Sequence, residues 1–199
     1  MLPAPWPLII TGLFRPASAG QAWSHRPPPW WQSLLLAVLP LVALSVMVQV
    51  QLLQIYPPAL PKEGMPVLSR WGLYIGLTSV GASLALAVVA SLLADAFDGR
   101  GDLDAATATV ALALVPVALA RMVWPLPLGY WLSLALLGWS LWLLYKALGP
   151  ALRFSSGHAS HLFASLMGML LCALAIGWQI RDLIPGAAPA MRMGRLWLI

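Results

Sequence analysis

Charge is what this sequence has least of. Of its 199 residues only 9% are Asp, Glu, Lys or Arg, against 61% hydrophobic, and the mean hydropathy is +0.85. That leaves too little charge to solvate the surface of a water-soluble domain and too little polar sequence for a separate soluble enzyme domain. A single membrane domain is expected. Cysteine is nearly absent too: Cys172 stands alone in an apolar stretch, which excludes an intramolecular disulfide and a zinc site built on clustered thiolates. The net charge of +5 suits anionic lipid headgroups, and no nucleic-acid partner is expected.

Long apolar runs are what the chain has instead. A spanning helix needs about 20 mostly apolar residues, since each rises about 1.5 Å across a hydrocarbon core of about 30 Å. Five stretches meet that length: Gln32 to Val50, Gly72 to Ala94, Ala105 to Val123, Leu128 to Tyr145 and Leu162 to Ile180. The fold expected is therefore all-α, a polytopic bundle of five transmembrane helices over residues 32–180. Residues 1–31 and 181–199 are expected to be interfacial segments flanking it. The third and fourth spans are joined by only Trp124, Pro125, Leu126 and Pro127, which predicts a tight antiparallel hairpin. Trp30, Trp31, Trp71, Trp124, Trp131 and Trp178 sit near span ends, where the amphipathic indole favours the headgroup level.

The start of the chain is unlike a signal peptide, because it has no basic n-region and Arg15-Pro16 interrupts its short apolar run. No cleavage is expected. Trp6, Leu8, Ile9, Ile10, Leu13 and Phe14 are read instead as interfacial, with Arg15 at lipid phosphate. Met191 to Ile199 reads as a second such anchor. With the N-terminus cytoplasmic, Arg15, Arg26, Arg100, Lys146 and Arg153 fall inside, and Lys62, Arg70, Arg121, Arg181, Arg192 and Arg195 fall outside. Five basic residues against six do not decide orientation.

Apart from Arg121 near an end, the spans hold no Asp, Glu, Lys or Arg. Pumps, proton-coupled carriers and voltage sensors keep ionisable groups inside the bilayer because they use them. Hydrolysis and group transfer need an acid, a base, a metal or an activated nucleophile in close geometry. No enzyme, cofactor or metal site is expected. The densest polar cluster, Asp95, Asp98, Asp102 and Asp104 around Arg100, lacks the ligand spacing of an EF-hand loop. Helix capping by Asp102 or Asp104 explains it more simply. His158 and His161 share a helical face, but no third ligand is evident, and Ser155, Ser156 and Ser160 fit a capped start of the fifth span. Gln32, Gln49, Gln51 and Gln54 flank the first span, where headgroups and water can satisfy amides. Pro40 and Pro116 each remove a backbone donor and are expected to bend their helices.

Two sets of residues are candidate contact sites. In the second span Ser79, Ser83, Ala87 and Ser91 recur at four-residue steps after Gly72 and Gly76. This makes one face small enough for another backbone to approach, whether within the chain or from a partner. Trp139 and Trp142 stand one turn apart in mid-span. Bundle core is their ordinary role, and a hydrophobic crevice for a lipid or pigment is the other reading.

The order of these features resembles a known family. Gly12-Leu-Phe-Arg-Pro16 before the spans, Ala113-Leu-Val-Pro116 with Trp124-Pro125 opening the hairpin, and Trp139-Ser-Leu-Trp-Leu-Leu-Tyr145-Lys-Ala-Leu-Gly149-Pro150 are similar to segments of the Yip family. Phe154-Ser155-Ser156 adds to the likeness, which runs from Leu8 to Trp178. The resemblance implies a five-span protein with a cytoplasmic N-terminus, and the compact chain looks most like the bacterial, inner-membrane branch. Eukaryotic members associate with Rab-type GTPases and with each other. The long acidic N-terminal region of those relatives is not in this sequence, so no GTPase-binding role is carried over, and the family offers no catalytic residue to carry over. The function expected is that of a non-catalytic interaction or membrane-organising component, in contact with membrane lipids and with another membrane protein or a second copy. An accessory subunit of a larger inner-membrane complex and a small-molecule or lipid transporter are the alternatives. An Arg-to-Lys ratio of 9 to 2 fits a GC-rich bacterial genome.

Overall fold

A computed structural model describes residues 6–55, 67–96, 99–126 and 128–153. Every regular element among them is helical, and there is no strand. The chain opens with two short helices, α1 (Trp6–Phe14) and α2 (Pro16–His25). They break where the sequence requires it. Pro16 pushes the preceding residue out of the helical region, and Arg15 adopts φ −133° and ψ 69° while Pro16 begins α2.

After Pro27-Pro28-Pro29 a short helix, α3 (Trp30–Ser33), runs through a π-helical turn (Leu34–Val38) into α4 (Leu39–Ile55). Pro40 explains the turn. It has no N–H for the carbonyl one turn back and its ring crowds that carbonyl. The preceding turn widens, and the Leu39 N–H reaches Leu34 O, five residues back.

The remaining helices are α5 (Val67–Ala96), α6 (Leu103–Val123) and α7 (Gly129–Ala151). Four helical segments are long and apolar enough to cross a membrane: Trp30–Leu52, Gly76–Asp95, Leu103–Val123 and Gly129–Ala151. They match the first four expected spans in order. The fifth, Leu162 to Ile180, lies outside the described residues.

Helix α6 is the axis of the bundle and packs against α7, α5 and α4. Its span is 72% buried, against 22% for that of α5. Composition explains the difference, because Ala105, Ala106, Ala108, Ala111, Ala113, Ala118 and Ala120 let neighbouring backbones come close on several sides. The Thr107 and Thr109 hydroxyls donate to their own helix, at Leu103 O (2.7 Å) and Ala105 O (2.8 Å). Both therefore sit in the interior without an unmet donor.

The α6–α7 hairpin is as tight as its length demands. Leu126 N–H donates to Val123 O (3.0 Å), Gly129 N–H to Leu126 O (2.8 Å), and Leu128 takes φ 67°. Gly129 has no room for a side chain, since a Cβ there would run into the Val123 and Trp124 carbonyls. Two serines of α7 stitch the pair together. Ser133 donates to Ala120 O (2.8 Å) and Ser140 to Ala113 O (2.7 Å). The second bond lies beside Pro116, which cannot donate to the carbonyl of Leu112.

Candidate functional site

The carboxylates between α5 and α6 hold helix ends. Asp102 caps α6, its Oδ1 accepting from the N–H groups of Asp104 (3.0 Å) and Ala105 (3.2 Å). That satisfies donors the helix start leaves open. Asp104 instead accepts the Trp30 N–H (2.7 Å), tying the start of α3 to the start of α6. Asp95 accepts the Gly101 N–H (2.8 Å). The basic residues at this end act likewise: Arg153 Nη2 donates to Ser24 O (2.6 Å), and the Arg100 N–H donates to Leu152 O (2.8 Å). Among the described residues no three His, Cys, Asp or Glu groups come together as a metal site. Asp98, His158 and His161 lie outside them.

The small-residue face of α5 has two halves. Ser83 and Ala87 are buried, and Ala90 and Ala94 continue the same inward line. Ser79 and Ser91 are half-buried. Ser83 donates to Ser79 O (2.8 Å), while Ser79 Oγ accepts from Arg121 Nη2 (2.9 Å) across the α5–α6 interface. One turn nearer the start of α5, Gly76 is half-buried, and a Cβ added to it would meet nothing within 4 Å. The side-chain surroundings of Gly72 lie outside the described residues. On the rest of α5, Leu73 is 69% exposed and Leu77 73%.

Trp139 and Trp142 are set differently. Helix α7 turns Ser133, Ser140, Leu143, Leu144 and Ala147 inward. Trp139 is half-buried, and Trp142 is exposed with Leu141 and Tyr145. At the α6–α7 turn Trp124, Tyr130 and Trp131 are exposed, the last two in edge-to-face contact at 5.4 Å between ring centroids.

Reading by composition missed how the N-terminal segment docks. Ile9 is buried rather than interfacial, while Ile10 and Phe14 stay exposed. Gly12 sits where a Cβ would come within 3.0 Å of Ala19 Cβ and 3.1 Å of the Leu112 methyls. Gly20 lies on the backbone of Ala147, leaving no space for a Cβ. Trp23 is wholly buried in the cluster formed with Val38, Ala108, Leu112 and Ala147. The available signal was Gly12, Ala19, Gly20 and Trp23 recurring one and two turns apart on adjoining short helices, a close-packing pattern unlike that of a lipid-facing segment. Gln32 and Gln49 also differ from expectation. Both are buried, because their helical faces turn toward the bundle instead of toward headgroups.

The chain matches the Yip1 domain over residues 11–178, a range that begins in α1 and includes all four described spans. No curated protein and no solved structure matches it. Lipid contact follows from the spans, whose outward faces carry Leu35, Leu44, Met47, Leu77, Leu134 and Trp142. Four membrane-spanning helices in a chain matched over most of its length make this a multi-pass membrane protein that belongs to the Yip family.

Proposed function

We propose that this protein is a non-catalytic interaction or membrane-organising component of a bacterial inner membrane, and that the outer side of α5 is where it meets a protein partner. The observation that carries this reading is the use made of its polar groups. Asp95, Asp104, Arg121 and Arg153 each hold one helix or loop to another, and Asp102 caps the start of α6. Groups so engaged serve architecture, and what the molecule presents outward is apolar surface. Helix α5 presents the most of it among the four spans, together with Gly76 and Gly81, where an added Cβ would meet nothing within 4 Å. Close backbone approach at small residues is how membrane helices associate. The Arg-to-Lys ratio of 9 to 2 supports the bacterial setting.

The test is photocrosslinking in cells from a benzoylphenylalanine placed at Leu73 or Leu77 of α5, with Leu134 and Trp142 of α7 as the comparison face. One defined protein adduct from the α5 positions and none from α7 is the expected result. Adducts only to lipid from both faces would refute the assignment of α5 as the partner face. A stoichiometric adduct to a much larger assembly would make the chain an accessory subunit.

A further inference from the structure

Arg121 is a half-buried charge inside the span of α6, and its structural contact engages only one of its five N–H donors. Nη2 donates to Ser79 Oγ at 2.9 Å, which pins the guanidinium between α5 and α6. Among the described residues no carboxylate is near. Asp102 and Asp104 lie at the opposite end of α6, and the 17 residues from Asp104 to Arg121 span about 25 Å at the rise of an α-helix. An arginine near the end of a span carries its guanidinium to the interface, where its remaining donors are open to an anion.

Three features define what that anion would be. First, depth: Arg121 stands two residues before the end of its span, and Trp124, Tyr130 and Trp131 are exposed just beyond it. Such aromatic girdles mark headgroup level, where lipid phosphates lie. Second, access: α5 and α6 are antiparallel neighbours joined by a short loop, so Gly76 lies on the headgroup side of the Arg121–Ser79 bond. The space above Gly76 is open, with no atom within 4 Å of a built Cβ. Third, surroundings: Leu73 and Leu77 of α5 are exposed beside it, a surface for acyl chains. A guanidinium fork matches phosphate oxygens in pairs.

We propose that the α5–α6 cleft at the α6–α7 turn is a binding site for the phosphate of an anionic glycerophospholipid, with Arg121 as its ligand, Ser79 as the group that positions Arg121, and Gly76 as the opening. The site shares Gly76, Leu73 and Leu77 with the α5 face proposed for a protein partner, and lipid binding by the purified chain does not depend on that partner.

The experiment uses the full chain, delipidated in detergent. Short-chain phosphatidylglycerol, phosphatidylcholine of the same chain length, and inorganic phosphate are each titrated while the thermal midpoint is followed by size-exclusion recovery, and native mass spectrometry counts the lipid retained. Phosphatidylglycerol is expected to be retained and to raise the midpoint, with phosphatidylcholine and phosphate doing neither. Arg121→Gln is expected to weaken the phosphatidylglycerol response about tenfold or more, the scale of one lost charge-assisted pair. Gly76→Leu fills open space, so its circular dichroism stays that of the parent while lipid is lost to a similar degree. If Arg121→Gln cannot be purified, Arg121→Lys replaces it, with weaker but still anion-selective binding expected. Equal retention of phosphatidylcholine, or an unchanged response in either the Arg121 or the Gly76 variant, overturns the site. Protection by inorganic phosphate alone overturns the assignment to lipid and leaves a site for the free anion.

Discussion

Gly20 shows what a single residue contributes here. Its backbone rests on that of Ala147, and any side chain would overlap the Ala147 carbonyl. Replacing it with valine must push α2 from α7, and overpacking of that kind costs about 1–3 kcal/mol. Gly138, in α7, is the control, because a Cβ there meets nothing within 4 Å. Gly20→Val is expected to lower the thermal midpoint in detergent by several degrees, and Gly138→Ala to leave it unchanged or slightly higher, since glycine is the poorer helix former by about 0.5–1 kcal/mol. Equal midpoints for the two variants would mean that the α2–α7 contact contributes nothing. None of this was visible in composition. A glycine on a backbone contact and a glycine facing open space look alike in the sequence, and only the neighbours separate them.

At the scale of elements, the N-terminal pair behaves as part of the bundle. Ile9, Gly12, Ala19 and Trp23 join one core with α6 and α7 residues Ala108, Leu112 and Ala147, and the Arg153–Ser24 bond closes the end of α2. Gly12→Leu would drive a side chain into Ala19 and Leu112. It is expected to detach α1 and α2 without unfolding the spans, so that chymotrypsin cuts after Trp23, wholly buried while the segment is docked, several-fold faster while the circular dichroism of the remainder persists. Unchanged cleavage would contradict the docking. Spans and hairpin were legible because hydrophobic length and a four-residue Pro-containing link each admit few structures. The Pro40 effect was legible in position but not in form, a widened turn instead of a bare kink. Docking of α1 and α2 was not legible from hydropathy, since Trp6, Ile9 and Phe14 would suit a lipid surface equally well, and only the spacing of Gly12, Ala19, Gly20 and Trp23 pointed to it.

For the whole molecule, the sequence and the structure agree on a helical membrane bundle whose centre is α6, rich in alanine, and whose least buried span is α5. The polar side chains of the acidic loop, the densest cluster in the sequence, cap and tether. That part of the candidate site was readable, because Asp ahead of an apolar run is the ordinary signal of a helix start. The division of the α5 face into a packed half at Ser83 and Ala87 and an open half at Gly76 was not, since small-residue spacing is the same whether the neighbour belongs to the chain or to another molecule. The central claim is that the outward surface binds a protein partner in a membrane. It is tested most directly by purifying the protein at native expression level in mild detergent and weighing the intact particle by native mass spectrometry. The account predicts a particle heavier than the 21.4 kDa chain by a whole number of copies of one protein, either itself or one other. A monomer carrying only lipid, at every detergent concentration that preserves the fold, would contradict it.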